Sequence, residues 1–346
     1  MTARSIDTKS RSALYLWAFG LVFAISFTVL IQVLGPNLRH FVDSFLPDQG
    51  SSWYYWKLPA RDQLGMIVVW ALYLGHQFSI WAAIYFAQKN LSGFRLPSLW
   101  SLPKYSLVAL AINIVFVSLH LAQTHLWFDG LAQDGPIFTS QYSVIIMLAI
   151  ILILENPRRG LLLGRRAGKP FTAQVTGFFR RTHMYIFAWA LVYTFWFHPM
   201  AADPQLLSGF FYMFLLFTQV TLAWTWVHFD RKWIILLESY VAIHAAIVAV
   251  FNTSFFNSPI MWPMFFSGFA FMFVFTYFYA FKVSRRVYWL VTAVYIGFLL
   301  WLYLPAPVGY GRSVQNLARL EFLWIPIILQ ALAALFAGLA YLKIKK

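Results

Sequence analysis

Apolar stretches of about twenty residues recur ten times along this chain, and nothing else limits its folding so strongly. A hydrocarbon core about 30 Å thick takes roughly 20 residues of helix to cross. Inside it every backbone N–H and C=O must be bonded within the protein, so a stretch that crosses has to be helical. The stretches run at about 13–35, 64–87, 105–126, 138–154, 183–199, 206–228, 233–252, 261–281, 287–304 and 320–342. They predict an all-α, polytopic helical bundle of about ten transmembrane helices. A hydrophobic share of 61% over 346 residues, with a mean hydropathy of +0.68, lies far outside the soluble range.

An even number of spans puts both termini on one side. The loops around Arg4 to Arg11, Lys89 to Lys104, Arg158 to Arg181, Arg231/Lys232, Lys282 to Arg286 and Lys343 to Lys346 hold 21 of the 26 Lys and Arg residues. The alternate loops hold Arg39, Lys57, Arg61, Arg312 and Arg319. By the positive-inside rule this asymmetry places both termini in the cytoplasm of a cell inner (plasma) membrane. Asp43, Asp48, Asp62, Asp129, Asp134, Asp203 and Glu321 fall on the opposite side. The net charge of +15 is therefore a topology signal. Basic residues interrupted every 20 to 40 positions by a span cannot line a groove for a phosphate backbone, so no nucleic-acid partner is expected. The bilayer and its anionic lipid headgroups are the expected partners.

The first span lacks a small-residue cleavage site and exceeds a signal-peptide core, so it is expected to stay as an anchor. Cysteine is absent, which removes disulfides, iron–sulfur clusters, thiolate ligands and cysteine nucleophiles together. With no long polar linker, residues 1–346 read as a single transmembrane domain. The outer loop 36–63 spaces Leu38, Phe41, Val42, Phe45 and Leu46 as a short interfacial helix. The run Trp53, Tyr54, Tyr55, Trp56 follows, either an aromatic belt or a lid. The inner loop 155–182 is basic. Its Gly164 to Lys169 segment has the wrong spacing for a phosphate loop, and Pro170 stands where Ser or Thr would hold magnesium.

Histidine carries the chemistry. All eight lie in or near a span, where ionisable groups are costly and mark candidate functional positions. His76 and His244 fall near the bilayer centre. His120, His125 and His198 are in the outer third, His183 and His228 are near the cytoplasmic surface, and His40 is in the interfacial loop. Ser106, Asn113, His120 and Thr124 form one polar stripe, while His125 points away from it, toward water with Asp129. Tyr73 shares a face with His76, and Tyr240 with His244. Glu238 lies about 120° around its helix from His244. The candidate catalytic residues are His76, His120 and His244. For a metal bound through imidazole, His120 and His198 are the candidates.

His183 and His198 sit fifteen residues apart on one span, about 22 Å along its axis and near one face. This spacing resembles that of cytochrome b and ferric-reductase bundles, in which two haems stack across the membrane. The resemblance covers this helix alone, and the second paired helix usual in those families is missing. It implies cofactor-binding roles for His183, His198 and His228, with His228 as the inner partner and His120, His125 or His244 as the outer one. The expected function is a redox or metal/haem-dependent membrane enzyme, an oxidoreductase acting on a lipophilic small molecule, with haem b or a histidine-bound metal as cofactor. Two alternatives stand beside it. Ten spans with cytoplasmic termini resemble the topology of membrane acyltransferases, in which His120 or His198 would be the base, although the first span lacks the histidine usual there. A transporter would use His76, His244 and Glu238 along its path, although only Pro263 and Pro326 interrupt spans and no repeat relates the two halves.

Because the chain has no cysteine, its topology can be read with single introduced cysteines. Cysteines at Gly168 or Lys346 should be protected from a membrane-impermeant thiol reagent in intact cells, and one at Gln49 should react. Labelling at Gly168 with protection at Gln49 would invert the orientation.

Overall fold

The computed structural model describes residues 10–44, 56–90, 102–136, 138–256 and 262–345. Among the described residues the chain is helical and forms no strand. Ten long helices match the ten apolar stretches: α1 (Arg11–Leu34), α2 (Gln63–Asn90), α3 (Lys104–Trp127), α4 (Phe138–Arg159), α5 (Ala173–Phe197), α6 (Pro204–Thr221), α7 (Arg231–Phe256), α8 (Trp262–Phe275), α9 (Arg285–Tyr303) and α10 (Trp324–Lys345). Eight of the segments, all but α5 and α6, are long and apolar enough to cross a membrane, α8 together with the short 3-10 helix Tyr277–Ala280 that follows it.

The two exceptions have a physical explanation. Helix α6 carries Gln205, Ser208, Thr218 and Thr221, all buried together with Phe210, Phe214 and Phe217. Helix α5 buries most of its second half, from Ala188 to Phe197. A helix wrapped by other helices has no lipid-facing surface to keep apolar, so it can carry polar groups that find partners inside. Helix α9 is the opposite case, with Trp289, Leu290, Val294 and Leu300 exposed as on a lipid-facing surface.

Local signals set the helix ends. Asp203 caps α6, its Oδ1 accepting from the Leu206 N–H at 3.0 Å, and Pro204 occupies the first turn. Helix α3 stops at Phe128, which adopts a left-handed conformation at φ 59° while its N–H bonds to Thr124 O. Helix α4 continues through Pro157 and stops before Gly160, at φ 76°.

The chain packs as two compact units. The first runs to Met147 and takes in Arg181–Trp233; the second comprises Leu148–Arg180 with the chain from Ile234 onward. In the first unit α2 and α3 form a hairpin whose Ile80, Ile84, Ala87, Tyr105 and Ala109 pack with Ala188 of α5 and Ala223 beyond α6. Helix α1 lies along α6 at Gly20, where a Cβ would come within 2.2 Å of the Thr218 methyl, so only glycine permits that approach.

In the second unit, the buried Arg159 guanidinium grips Glu238 of α7 with two bonds and lies 4.6 Å from the Tyr277 ring centroid. The turn after α4 is pinned by Leu163 N–H to Phe275 O and Thr276 Oγ1 to Leu161 O, both at 2.8 Å. Much of the expected 155–182 loop is thus helix, with residues 160–172 as the connection. Arg165, Arg166 and Lys169 are exposed there, and Asn156 exchanges two bonds with Ala167.

The expected interfacial helix is realised in part, as Gly35–Leu38 and Arg39–Val42. It packs onto the protein, with Leu38 buried and the Phe41 ring stacked 5.3 Å from Phe128. Phe45, Leu46, Trp53, Tyr54 and Tyr55 lie outside the described residues. Trp56 packs onto the protein: it is 4% exposed, with its ring 5.3 Å from that of His198.

Candidate functional site

Four helices of the first unit, α2, α3, α5 and α6, meet around two fully buried imidazoles, His76 and His120, both 0% exposed. The polar stripe expected on α3 faces this centre: Ser106, Asn113, His120 and Thr124 are all buried. His76 is stacked on Phe116, with centroids 4.7 Å apart and planes 4° from parallel. Its Nδ1 accepts from the Trp196 indole N–H at 3.2 Å. An indole can only donate, so the proton of this ring sits on Nε2, which donates to Asn113 Oδ1 at 3.2 Å. The Asn113 amide donates to Thr221 Oγ1 at 3.3 Å, and the Thr221 hydroxyl to Phe217 O at 2.9 Å. One directed chain, Trp196 to His76 to Asn113 to Thr221, therefore ties the four helices together. Tyr73 is not in it, its ring lying against Trp70 and Tyr193.

The Trp196 ring also lies 4.3 Å from His120. His120 Nδ1 is 3.0 Å from Gln123 Oε1, and its Nε2 faces the carbonyls of Phe195 at 3.1 Å and His198 at 2.9 Å. Both nitrogens are thus directed at oxygens of the protein. The pairing of His120 with His198 is one of ring to backbone. The His198 Nδ1 is turned to Thr194 O at 2.9 Å. Among the described residues no three of His, Asp and Glu gather as a metal-binding group.

Beyond α3 the left-handed Phe128 turns Asp129 inward. It does not share water with His125, as expected, but is 0% exposed; His125 turns its Nδ1 to Leu121 O at 2.9 Å. Gln123 Nε2 donates to Asp129 O at 2.6 Å. The nearest charge to the Asp129 carboxylate is Arg61, at 3.8 Å, and Arg61 also pairs with Asp134. Burial pushes the Asp129 carboxyl up to about 6, with Arg61 pulling the other way.

His183 and His228 come together elsewhere in the same unit, with ring centroids 6.5 Å apart and planes at 41°. The turn that carries His228 is folded back on α6 by one residue, Gln219, through its main-chain carbonyl and its side-chain amide. Gln219 O accepts from His228 Nδ1 at 3.1 Å, Gln219 Nε2 donates to His228 O at 3.1 Å, and Gln219 Oε1 accepts from the Trp233 indole at 2.7 Å. This leaves the His228 proton on Nδ1 and its Nε2 as a lone pair, the orientation a second-shell carbonyl gives a metal-ligating histidine. His244, with Glu238, belongs to the second unit. The bidentate bond to Arg159 occupies Glu238, so that carboxylate is not a free relay group.

Sequence reasoning placed His76, His120 and Asn113 but missed Trp196, Gln123, Gln219 and the Arg61–Asp129 pair. Tryptophan in an apolar span reads as packing, and its N–H gives no periodic signal. Compared with protein-family models, curated proteins and solved structures, the chain matches none.

The Asp129 carboxyl binds its proton more tightly when folded, from an ordinary value of 3.8 to about 6. Its contribution to stability is therefore present below about pH 4 and is lost as pH rises through 6, a change of up to about 3 kcal/mol. Asp129→Asn should flatten the pH dependence of thermal unfolding between pH 4 and 7. An unchanged profile would count against a buried, weakly paired carboxyl.

Proposed function

We propose that this chain is a multi-pass protein of the cell inner membrane, with ten spans and both termini cytoplasmic, and that it carries a b-type haem between His183 and His228 for redox chemistry on a lipophilic substrate. What supports the membrane reading is the set of eight helical segments long and apolar enough to cross a bilayer. The haem reading rests on one observation, the 6.5 Å separation of the two imidazoles. Two imidazoles ligating one iron from opposite faces, with metal–nitrogen bonds near 2.0 Å, have centroids about 6.3 Å apart.

Two further features fit. The His228 ring is set by Gln219 in the tautomer a ligand needs. Arg181 is exposed two residues before His183, as a cation for propionate carboxylates would be. Bound there, haem would supply a one-electron centre near the cytoplasmic surface. The protein's own part would be to hold the group between His183 and His228 and to exclude water. The outer haem implied by the cytochrome b resemblance is not carried forward, because both nitrogens of His120 and of His125 face protein oxygens and His244 belongs to the second unit. Nor is His120 carried forward as a base for acyl transfer.

The test is the visible spectrum of detergent-purified protein, oxidised and then reduced with dithionite. The account predicts a Soret band with sharp reduced α and β peaks, lost in His183→Ala and in His228→Ala and retained in His198→Ala. A colourless preparation, or a haem signal unaffected by either of the first two variants, would refute it.

A further inference from the structure

We propose that His120 is a proton-binding site, held as an imidazolium at neutral pH by oxygens that close on both of its nitrogens. The argument follows from counting donors along one chain of groups. At one end stands Asp129 O, at the other the carbonyls of Phe195 and His198, and main-chain carbonyls only accept. Between them lie the Gln123 amide and the His120 ring.

With the amide nitrogen toward Asp129 O, Gln123 Oε1 faces His120 Nδ1 and requires a proton there. A neutral ring protonated on Nδ1 then leaves the Nε2 lone pair against two carbonyls. Moving that proton to Nε2 leaves the Nδ1 lone pair 3.0 Å from Oε1. Flipping the amide would put Gln123 Oε1 where Nε2 now lies, 2.6 Å from Asp129 O, and move the conflict there. Every neutral arrangement contains one acceptor facing an acceptor, and one added proton on the ring removes it.

Burial of the ring favours the neutral form, and three features oppose that cost. The Phe195 and His198 carbonyls belong to the C-terminal end of α5, the negative end of a helix dipole. The Trp196 face lies 4.3 Å away, in cation–π range. Asp129, the residue whose carbonyl ends the chain, carries a buried carboxylate whose nearest cation, Arg61, is 3.8 Å away.

The other titratable groups around His120 are His76 on α2, His198 beyond α5, and the Arg61, Asp62 and Asp134 group near Asp129. Helix α6 presents only Phe210. His76 is committed to Trp196 and Asn113. The site thus places a fixed positive charge in the protein core, independent of any haem.

The experiment is 15N NMR of the full chain in nanodiscs, labelled at histidine and recorded at pH 7. The His120 signals are identified by their loss in His120→Gln or, should that variant not fold, by their shift in Gln123→Met. The proposal predicts two N–H-type nitrogens for His120, and it predicts that Gln123→Met, which removes the acceptor at Nδ1, returns the ring to a single N–H. A nitrogen without a proton in the unaltered protein, or a doubly protonated ring in Gln123→Met, would overturn it.

Discussion

In an apolar surround a polar group either finds a partner within the protein or costs several kcal/mol, and the first unit is organised around that rule. Helices α5 and α6 carry the residues least suited to lipid. Wrapping α1, α2 and α3 around them turns those residues inward, where Trp196, His76, Asn113 and Thr221 satisfy one another in a fixed direction. The arrangement specifies helix placement more sharply than apolar contact does, because a helix rotated by one residue leaves an indole N–H or an imidazole lone pair without a partner. Glycine at position 20 supports it by letting α1 close on α6.

Two kinds of histidine result. His76 is a bracing residue with both nitrogens committed. His120 closes the end of α5, with its Nε2 against two main-chain carbonyls and its Nδ1 against Gln123. His183 lies within α5 and His228 on the short turn after α6, where Gln219 sets the His228 ring, and the two ring centroids are 6.5 Å apart.

Much of the fold was legible in the sequence because the governing signals are long. Each of the ten apolar stretches overlaps a helix, and the polar stripe on α3 follows from residues seven and four apart. Depth along the spans also paired His183 with His228 as candidates, and their rings prove to be neighbours. What stayed hidden depends on single residues. Phe128 is left-handed without being glycine, so nothing in the sequence announces that Asp129 turns inward rather than toward water. Trp56 looks like a belt residue among other aromatics, yet its ring meets His198. Arg159 reads as one of seven loop cations, but α4 runs on to include it and delivers it to Glu238.

The central claim is that buried polar groups pair across helices and set the packing of the first unit. A double-mutant cycle on His76→Phe and Trp196→Phe, read by reversible unfolding in detergent, tests it most directly. Either change alone orphans a buried partner, at about 1–3 kcal/mol. Making both removes the polar pair, so the double variant should be less destabilised than the sum of the singles by at least about 1 kcal/mol. Additivity to within about 0.5 kcal/mol would mean that the two side chains do not depend on each other, and would contradict the account.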